Sequence, residues 1–159
     1  MRLPDEKVLH ALLLQHPHLI DPAFLGVQCD TRVRLGPRKI ADLVLHSKPV
    51  SIVELKVVPY APRWGNQLQS YLELFLHDRK EKADGVLIVA PDGQKDHESF
   101  IEEMAKRKFS VRVLFWDRDV PVVGQLRLCN NCNRAIRHRV ELVSCRYCRK
   151  SVGFRELKI

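Results

Sequence analysis

The chain has 159 residues, of which 45% are hydrophobic and 29% charged, and it contains seven glycines and nine prolines. These values are typical of one globular core domain with at most a small appendage, and they exclude a large multidomain assembly and a disordered or fibrous protein. The apolar runs fall far short of the roughly 18–20 residues of a membrane helix, and acidic residues precede the first of them, unlike a secretory signal. We therefore expect a cytoplasmic protein without a membrane segment.

In chain order, the hydrophobic periodicity predicts a helix at 5–20, strands at 27–34, 40–45 and 51–57, a helix at 62–83, a strand at 85–90, a helix at 96–108 and a strand at 110–116. The three consecutive strands favour an antiparallel meander. The strand–helix–strand unit at 81–116 favours parallel pairing through a right-handed crossover. We therefore predict an α/β domain over residues 1–117, with a mixed central sheet flanked by helices in the order αβββαβαβ.

The net charge of +8 lies almost entirely in the C-terminal part of the chain. Residues 1–117 contain 17 basic and 16 acidic residues, a difference of +1, whereas residues 118–159 contain 10 basic and 3 acidic ones, a difference of +7. A cationic surface attracts polyanions, and nucleic acid is the commonest polyanion of the cytosol. The charge alone does not separate nucleic-acid binding from an ordinary solvated surface.

Four of the five cysteines form two C-x-x-C pairs, Cys129 with Cys132 and Cys145 with Cys148. Four thiolates on two short turns are typical ligands of a tetrahedral Zn²⁺, and disulfides are disfavoured in a reducing cytosol. A piece as short as residues 118–159 normally needs a metal to hold a fold. We therefore predict a small zinc ribbon with four cysteine ligands there, joined to the first domain by a linker at 117–124; an iron–sulfur cluster is the alternative. Cys29 and the seven histidines are assigned no function.

Three charged residues lie in otherwise apolar predicted strands: Asp42 in the second, and Glu54 and Lys56 in the third. Residues two apart in a strand share a face, and a neighbouring strand can bring Asp42 beside them. Two carboxylates at one wet site are typical ligands of Mg²⁺, and a lysine beside them can orient a water that attacks a phosphodiester. The alternative is structural: the three pair with one another or face solvent.

Around this triplet, the sequence resembles the PD-(D/E)xK nuclease superfamily, in particular its RecB-like and NucS-like branch. The resemblance covers residues 4–116 and rests on Glu6 in the first helix, Gly36 with Ala41-Asp42 in the second strand, Glu54-Leu-Lys56, and Gln67-x-x-x-Tyr71 on the next helix. It implies a restriction-endonuclease-like core. Alanine, rather than proline, precedes Asp42.

The resemblance also implies roles for these residues. Asp42, Glu54 and Glu6 would ligate Mg²⁺ or Mn²⁺, and Lys56 would assist the attacking water. Gln67 and Tyr71 would position the nucleic-acid strand or the lysine. Alternatively, Glu6 is a first-turn acid that complements the helix dipole, and Tyr71 packs in the core.

The resulting hypothesis is a Mg²⁺-dependent deoxyribonuclease for single-stranded or branched DNA. Six basic residues of the ribbon would grip phosphates without reading sequence: Arg134, Arg137, Arg139, Arg146, Arg149 and Lys150. One alternative is an inactive nucleic-acid-binding or assembly protein on a nuclease fold. Another is a ribbon that docks a replication, repair or defence protein, or only packs against the nuclease domain. The resemblance is also compatible with a homodimer.

Overall fold

The structure, a computed structural model, describes residues 2–91, 96–138 and 144–159. Its elements are α1 (Glu6–Gln15), β1 (Cys29–Gly36), β2 (Lys39–Leu45), β3 (Ser51–Pro59), α2 (Pro62–Arg79), β4 (Asp84–Ala90), α3 (Asp96–Lys106), β5 (Val111–Phe115), β6 (Leu126–Cys129), β7 (Ala135–Arg137) and β8 (Phe154–Glu156). The first eight follow the predicted order αβββαβαβ.

All three helices end earlier than their apolar patterns predict, α1 and α2 by the larger margins and α3 at Lys106 rather than residue 108. α1 ends at Gln15 rather than residue 20 because Pro17 has no N–H to donate and disfavours helical backbone at the residue before it. A 3₁₀ turn, Pro17–Leu19, follows. α2 ends at Arg79 because Lys80 adopts a left-handed conformation with φ of 59° and caps the helix. Within the described residues, no helix is long and apolar enough to span a bilayer.

The central sheet has five strands in the order β1-β2-β3-β4-β5. β1, β2 and β3 form the predicted antiparallel meander. β4 and β5 pair in parallel, as the crossover through α3 predicts, and β3 and β4 also pair in parallel through α2. The mixed sheet of the predicted α/β fold is therefore confirmed.

Each face of the sheet is covered by an apolar layer. On one face, Leu9, Leu12 and Leu13 of α1 pack on the sheet around Leu43 and Val53. On the other, α2 and α3 contribute the second cluster, which includes Leu68, Leu72, Phe100 and Met104. A polar side chain in the middle of β2 or β3 is therefore enclosed unless it lies where these layers end.

A second, three-stranded antiparallel sheet, β7-β6-β8, follows β5 and carries the cysteine pairs. Its apolar side chains Leu126, Ala135 and Leu157 belong to the same cluster as α1. The segment predicted as a linker also packs against the first domain, because Val120 is fully buried and bridges to Trp116. The domain boundary at residue 117 stays a prediction.

Candidate active site and metal centre

The side chain of Asp42 takes the place of a backbone hydrogen-bond acceptor between β2 and β3. The ladder between these strands runs through Leu43 and Val53, and the same register would place Asp42 opposite Glu54. Instead of a ladder bond, the Asp42 carboxylate accepts a hydrogen bond from the backbone N–H of Leu55 at 2.8 Å. The carboxyl groups of two neighbouring strands therefore meet where the ladder opens.

Glu54 and Lys56 contact each other, as their spacing in the strand predicts. The Lys56 Nζ lies 3.1 Å from Glu54 Oε1, and the two side chains are 16% and 2% exposed, in that order. The other carboxyl oxygen of Glu54, Oε2, is buried and has no hydrogen-bond partner among the residues that the structure describes. Lys56 Nζ also lies 4.4 Å from the centre of the Trp64 ring, which contacts the ammonium through its π face.

The electrostatic environment favours the neutral form of Glu54. Burial raises the pKa of this carboxyl to about 8, and the negative charge of Asp42 acts in the same direction. The Lys56 ammonium lowers the pKa and only partly compensates. A second positive charge would complete the compensation of the two carboxylates.

A cleft of about 570 Å³ opens beside Asp42, between the N-terminal part of α1 and the strands β1 to β3. Glu6 and Asp42 both line it, so the helix and the strand contribute carboxyl groups to one cavity. Within the described ranges, only four cysteines bring three or more ligand atoms within 4.8 Å of one another. Asp42 therefore meets Glu6 in the cleft and lies beside Glu54, but Glu54 and Lys56 do not line the cleft, and the three carboxyl groups do not form so tight a cluster.

Gln67 and Tyr71 lie on one face of α2, as their four-residue spacing predicts. The Gln67 amide donates to the Tyr71 hydroxyl at 2.7 Å, and the hydroxyl donates to the backbone carbonyl of Ile40 at 3.0 Å. The Tyr71 ring is buried in the core, and burial together with the charge of Glu54 raises its pKa to about 12. The pair thus anchors α2 to β2 two residues before Asp42.

The sequence interpretation missed His10 and Arg32, which line the same cleft. His10 Nε2 lies 3.1 Å from the backbone oxygen of Asp42 and 2.9 Å from the Thr31 hydroxyl, so it joins α1 to the first two strands. Two signals were present in the sequence. His10 lies one helical turn after Glu6, and an antiparallel hairpin of the predicted strands places Arg32 near Asp42.

The four predicted zinc ligands converge. The Sγ atoms of Cys129, Cys132, Cys145 and Cys148 all lie within 4.8 Å of one another, and two Sγ···Sγ pairs are 3.7 Å apart. A tetrahedral zinc with bonds of about 2.3 Å requires sulfur separations of about 3.8 Å. Backbone N–H groups also donate to two sulfurs at 3.4 Å. The donor set and spacing therefore fit zinc.

The basic residues of the ribbon differ in solvent exposure and in their hydrogen bonds to the rest of the protein. Arg146, Arg149 and Lys150 are exposed, whereas Arg134 is partly buried. Arg137 donates to the backbone carbonyl of Asp117 at 3.1 Å and so helps to hold the ribbon against the first domain. The sixth predicted residue, Arg139, lies outside the described residues. Phosphate binding by this set stays a prediction.

No family model matches the chain, and no curated protein matches its sequence. Two solved structures are similar to it. A repair endonuclease from Pyrococcus abyssi has a TM-score of 0.54 at 18% identity, over 70% of this chain and 47% of that one. EndoMS in a complex with double-stranded DNA has a TM-score of 0.52 at 18% identity, over 70% and 44%. The chain has a NucS-like nuclease fold.

The NucS-like fold confirms the restriction-endonuclease-like core expected from the motif residues. The chain spans less than half the length of either solved structure. At 18% identity the likeness concerns the fold, so the roles of the individual site residues and the finer RecB-like relationship stay predictions.

Proposed function

We propose that this protein is a metal-dependent deoxyribonuclease that hydrolyses phosphodiester bonds in the cleft beside Asp42. One observation carries the proposal: on a nuclease fold, the Glu54 carboxyl is 2% exposed, has one oxygen without a hydrogen-bond partner in the described part of the chain, and lies beside a second carboxylate. A buried carboxylate beside a second carboxylate is costly unless cations compensate both charges, and Lys56 supplies only one. A divalent cation would supply that charge.

The donor set fits a hard cation such as Mg²⁺ or Mn²⁺, which prefers carboxylate oxygens and keeps several waters. Asp42 and Glu54 would hold it, with Glu6 contributing from α1, directly or through a water. When bound, the cation supplies Lewis-acid polarisation of the phosphate and a lower pKa for water. The open cleft leaves room for the substrate phosphate on the side of α1.

The chain's own residues have distinct tasks in this reaction. Lys56 lies beside Glu54 and can donate a hydrogen bond to the attacking water or to a phosphate oxygen that gains charge. The backbone N–H of Leu55 holds the Asp42 carboxylate in place, and His10 contacts the backbone oxygen of Asp42. Tyr71 and Gln67 secure the α2 side of the site, and their direct contact with a substrate stays a prediction.

DNA is the substrate class favoured by the two similar structures, of which one is a repair endonuclease and the other a complex with double-stranded DNA. Together with the motif resemblance, they support a role in DNA repair. The preference for single-stranded or branched DNA rests on the motif resemblance, so a duplex substrate belongs in the same assay. The zinc ribbon would aid substrate binding through its exposed arginines.

The test incubates labelled single-stranded, duplex and flap DNA with the protein and Mg²⁺ or Mn²⁺. We expect cleavage that requires the added cation, and rates at least about 100-fold lower for Asp42→Asn, Glu54→Gln and Lys56→Ala, because each removes a group that acts on the reacting atoms. Glu102→Gln, an exposed carboxyl on α3, is the matched control. Binding without cation-dependent cleavage by the unmodified protein would instead identify an inactive nucleic-acid-binding protein.

A further inference from the structure

The hairpin formed by β1 and β2 carries a local positive charge, although residues 1–117 as a whole are nearly neutral. Residues 31–41 include four basic side chains and no acidic one: Arg32, Arg34, Arg38 and Lys39. We call these four residues the basic hairpin. The three arginines are exposed and Lys39 is partly buried. Within the described chain none of them forms an ion pair, whereas Arg107 and Arg112 pair with carboxylates.

The basic hairpin begins inside the candidate active-site cleft. Arg32 lines the cleft together with Asp42. In the β1–β2 ladder, Thr31 pairs with Leu43 and Val33 pairs with Ala41. This register places Arg32 opposite Asp42, but these two residues do not pair. Arg32 instead has a φ of 50°. Left-handed backbone is unusual for a residue with a long side chain.

The other three cations continue away from the cleft toward the turn at Pro37. A strand rises about 3.3 Å per residue, so the basic hairpin extends roughly 15 Å from Arg32 to the turn. One strand of nucleic acid carries a negative charge about every 3.4 Å along a duplex axis, so this length corresponds to roughly four nucleotides. The spacing suits a backbone that enters or leaves the cleft.

Without a bound metal ion, the side chains that line the cleft carry a small net negative charge. Asp5, Glu6 and Asp42 all line the cleft, and their negative charges repel an approaching polyanion. Arg32 and Lys7 are the cations that line it with them. Beyond Arg32, the basic hairpin adds three more cations on the strand pair that carries Asp42.

We propose that the basic hairpin binds the phosphate backbone of the nucleic-acid strand and presents it to the cleft, with Arg32 contacting a phosphate next to the carboxylates. Hydrolysis of the bound strand in the cleft rests on the proposed nuclease function, but binding of the strand by the basic hairpin does not. The contacts are to phosphates and therefore independent of base sequence.

The test compares two triple variants of the whole chain, each lacking three cations. The first is Arg32→Asn, Arg34→Gln and Arg38→Asn; asparagine is used where φ is 50° or 59° because it tolerates this conformation. The control is Lys80→Asn, Lys106→Gln and Lys108→Asn, with φ of 59° and 62° at the asparagine positions. These control lysines are exposed and lie at the ends of α2 and α3.

Affinity for a labelled single-stranded DNA and for an RNA of equal length is measured against salt concentration, without added Mg²⁺ or Mn²⁺ so that the strand stays intact. Each phosphate contact contributes about 0.7 to the slope of log K against log salt. We expect the hairpin variant to bind more weakly and to lose about two from that slope, and the control to keep the slope of the unmodified protein. Thermal unfolding of each variant checks that both are folded.

The outcomes separate this inference from the nuclease proposal. A folded hairpin variant that keeps its slope, a control that loses as much, or no nucleic-acid binding at all would overturn the inference. A protein whose binding depends on the hairpin but that does not cut DNA would overturn the nuclease proposal alone. A third variant, Arg146→Gln, Arg149→Gln and Lys150→Gln, measures the ribbon's share in the same assay.

Discussion

Glu54 lies between Val53 and Leu55 in the middle of β3, and both neighbours are fully buried. A carboxyl group at such a position loses its hydration, and the contact with Lys56 leaves its second oxygen without a hydrogen-bond donor among the described residues. Because the charged form is costly here, the pKa of Glu54 is raised to about 8 and the protonated form is favoured. Without a bound cation, the fold therefore keeps Glu54 largely protonated near neutral pH, and cation binding must displace that proton.

This preference predicts how stability depends on pH. The usual pKa of 4.5 is raised to about 8 in the folded protein, so between these values the folded state holds a proton that the unfolded state has lost. The free energy of unfolding should therefore fall as the pH rises from about 5 to about 8, and level off above it. Glu54→Gln should remove at least about 1 kcal/mol of this decline, since a pKa change of one corresponds to about 1.4 kcal/mol.

The measurement is urea unfolding of both proteins across this pH range in buffer without added Mg²⁺ or Mn²⁺, with zinc retained. Glu102→Gln should follow the unmodified protein. Equal pH slopes for the Glu54→Gln variant and the unmodified protein would show that the Glu54 carboxyl is not the group that titrates.

At the residue scale, the spacing of Glu54 and Lys56 was sufficient to predict that they meet, because strand periodicity is local. The contributions of His10 and Arg32 were not predicted. They depend on which face of α1 packs toward β2 and on a break in the β1–β2 ladder, neither of which follows from the spacing of apolar residues.

At the element scale, one buried histidine forms a hydrogen bond between the segment after α1 and the zinc ribbon. His18, in the 3₁₀ turn after α1, donates from Nε2 to the backbone carbonyl of Ala135 in β7 at 2.8 Å. Its ring also meets Tyr147 edge to face, with ring centres 4.9 Å apart. Burial lowers the pKa of His18, so the neutral ring is the form that the joint accommodates.

We expect His18→Ala to lower the free energy of unfolding by about 1–3 kcal/mol, because it leaves a buried carbonyl without its donor. Limited proteolysis within residues 118–159 should also accelerate as the ribbon loosens. His77→Ala removes an exposed histidine of α2 and should change the free energy of unfolding by no more than about 0.5 kcal/mol and leave proteolysis unchanged. If His18→Ala matches His77→Ala in both measurements, the joint is held by its apolar contacts alone.

On the scale of the whole molecule, the ribbon and the nuclease-like core share apolar surface. Leu126 and Leu157 of the ribbon lie in one cluster with Leu9 and Leu12 of α1. The four thiols have their own small cluster with Ile136 and Tyr147. Loss of the metal should therefore disturb the ribbon first and then remove contacts from the core.

We predict one zinc per chain and a visible absorption spectrum free of iron–sulfur bands. Cys145→Ala should reduce the zinc content to near zero and lower the midpoint of unfolding of the whole chain, because metal binding and folding are coupled. Cys29→Ala is the matched control: Cys29 lies in β1, away from the cluster, and should leave one zinc per chain. Elemental analysis and urea unfolding measure both quantities. Full zinc content in the Cys145→Ala variant would contradict the assigned ligand set.

The order of the elements, the strand periodicity that pairs Glu54 with Lys56 and the two C-x-x-C pairs followed from the sequence by itself, because each depends on residues a few positions apart. The tertiary structure decided the rest. Packing of α1 against the sheet formed the cleft that Arg32 lines and added His10 to it. The ribbon docked through His18, 117 residues before its partner. Such contacts arise because distant segments bury a common surface, and no local pattern encodes which segments meet.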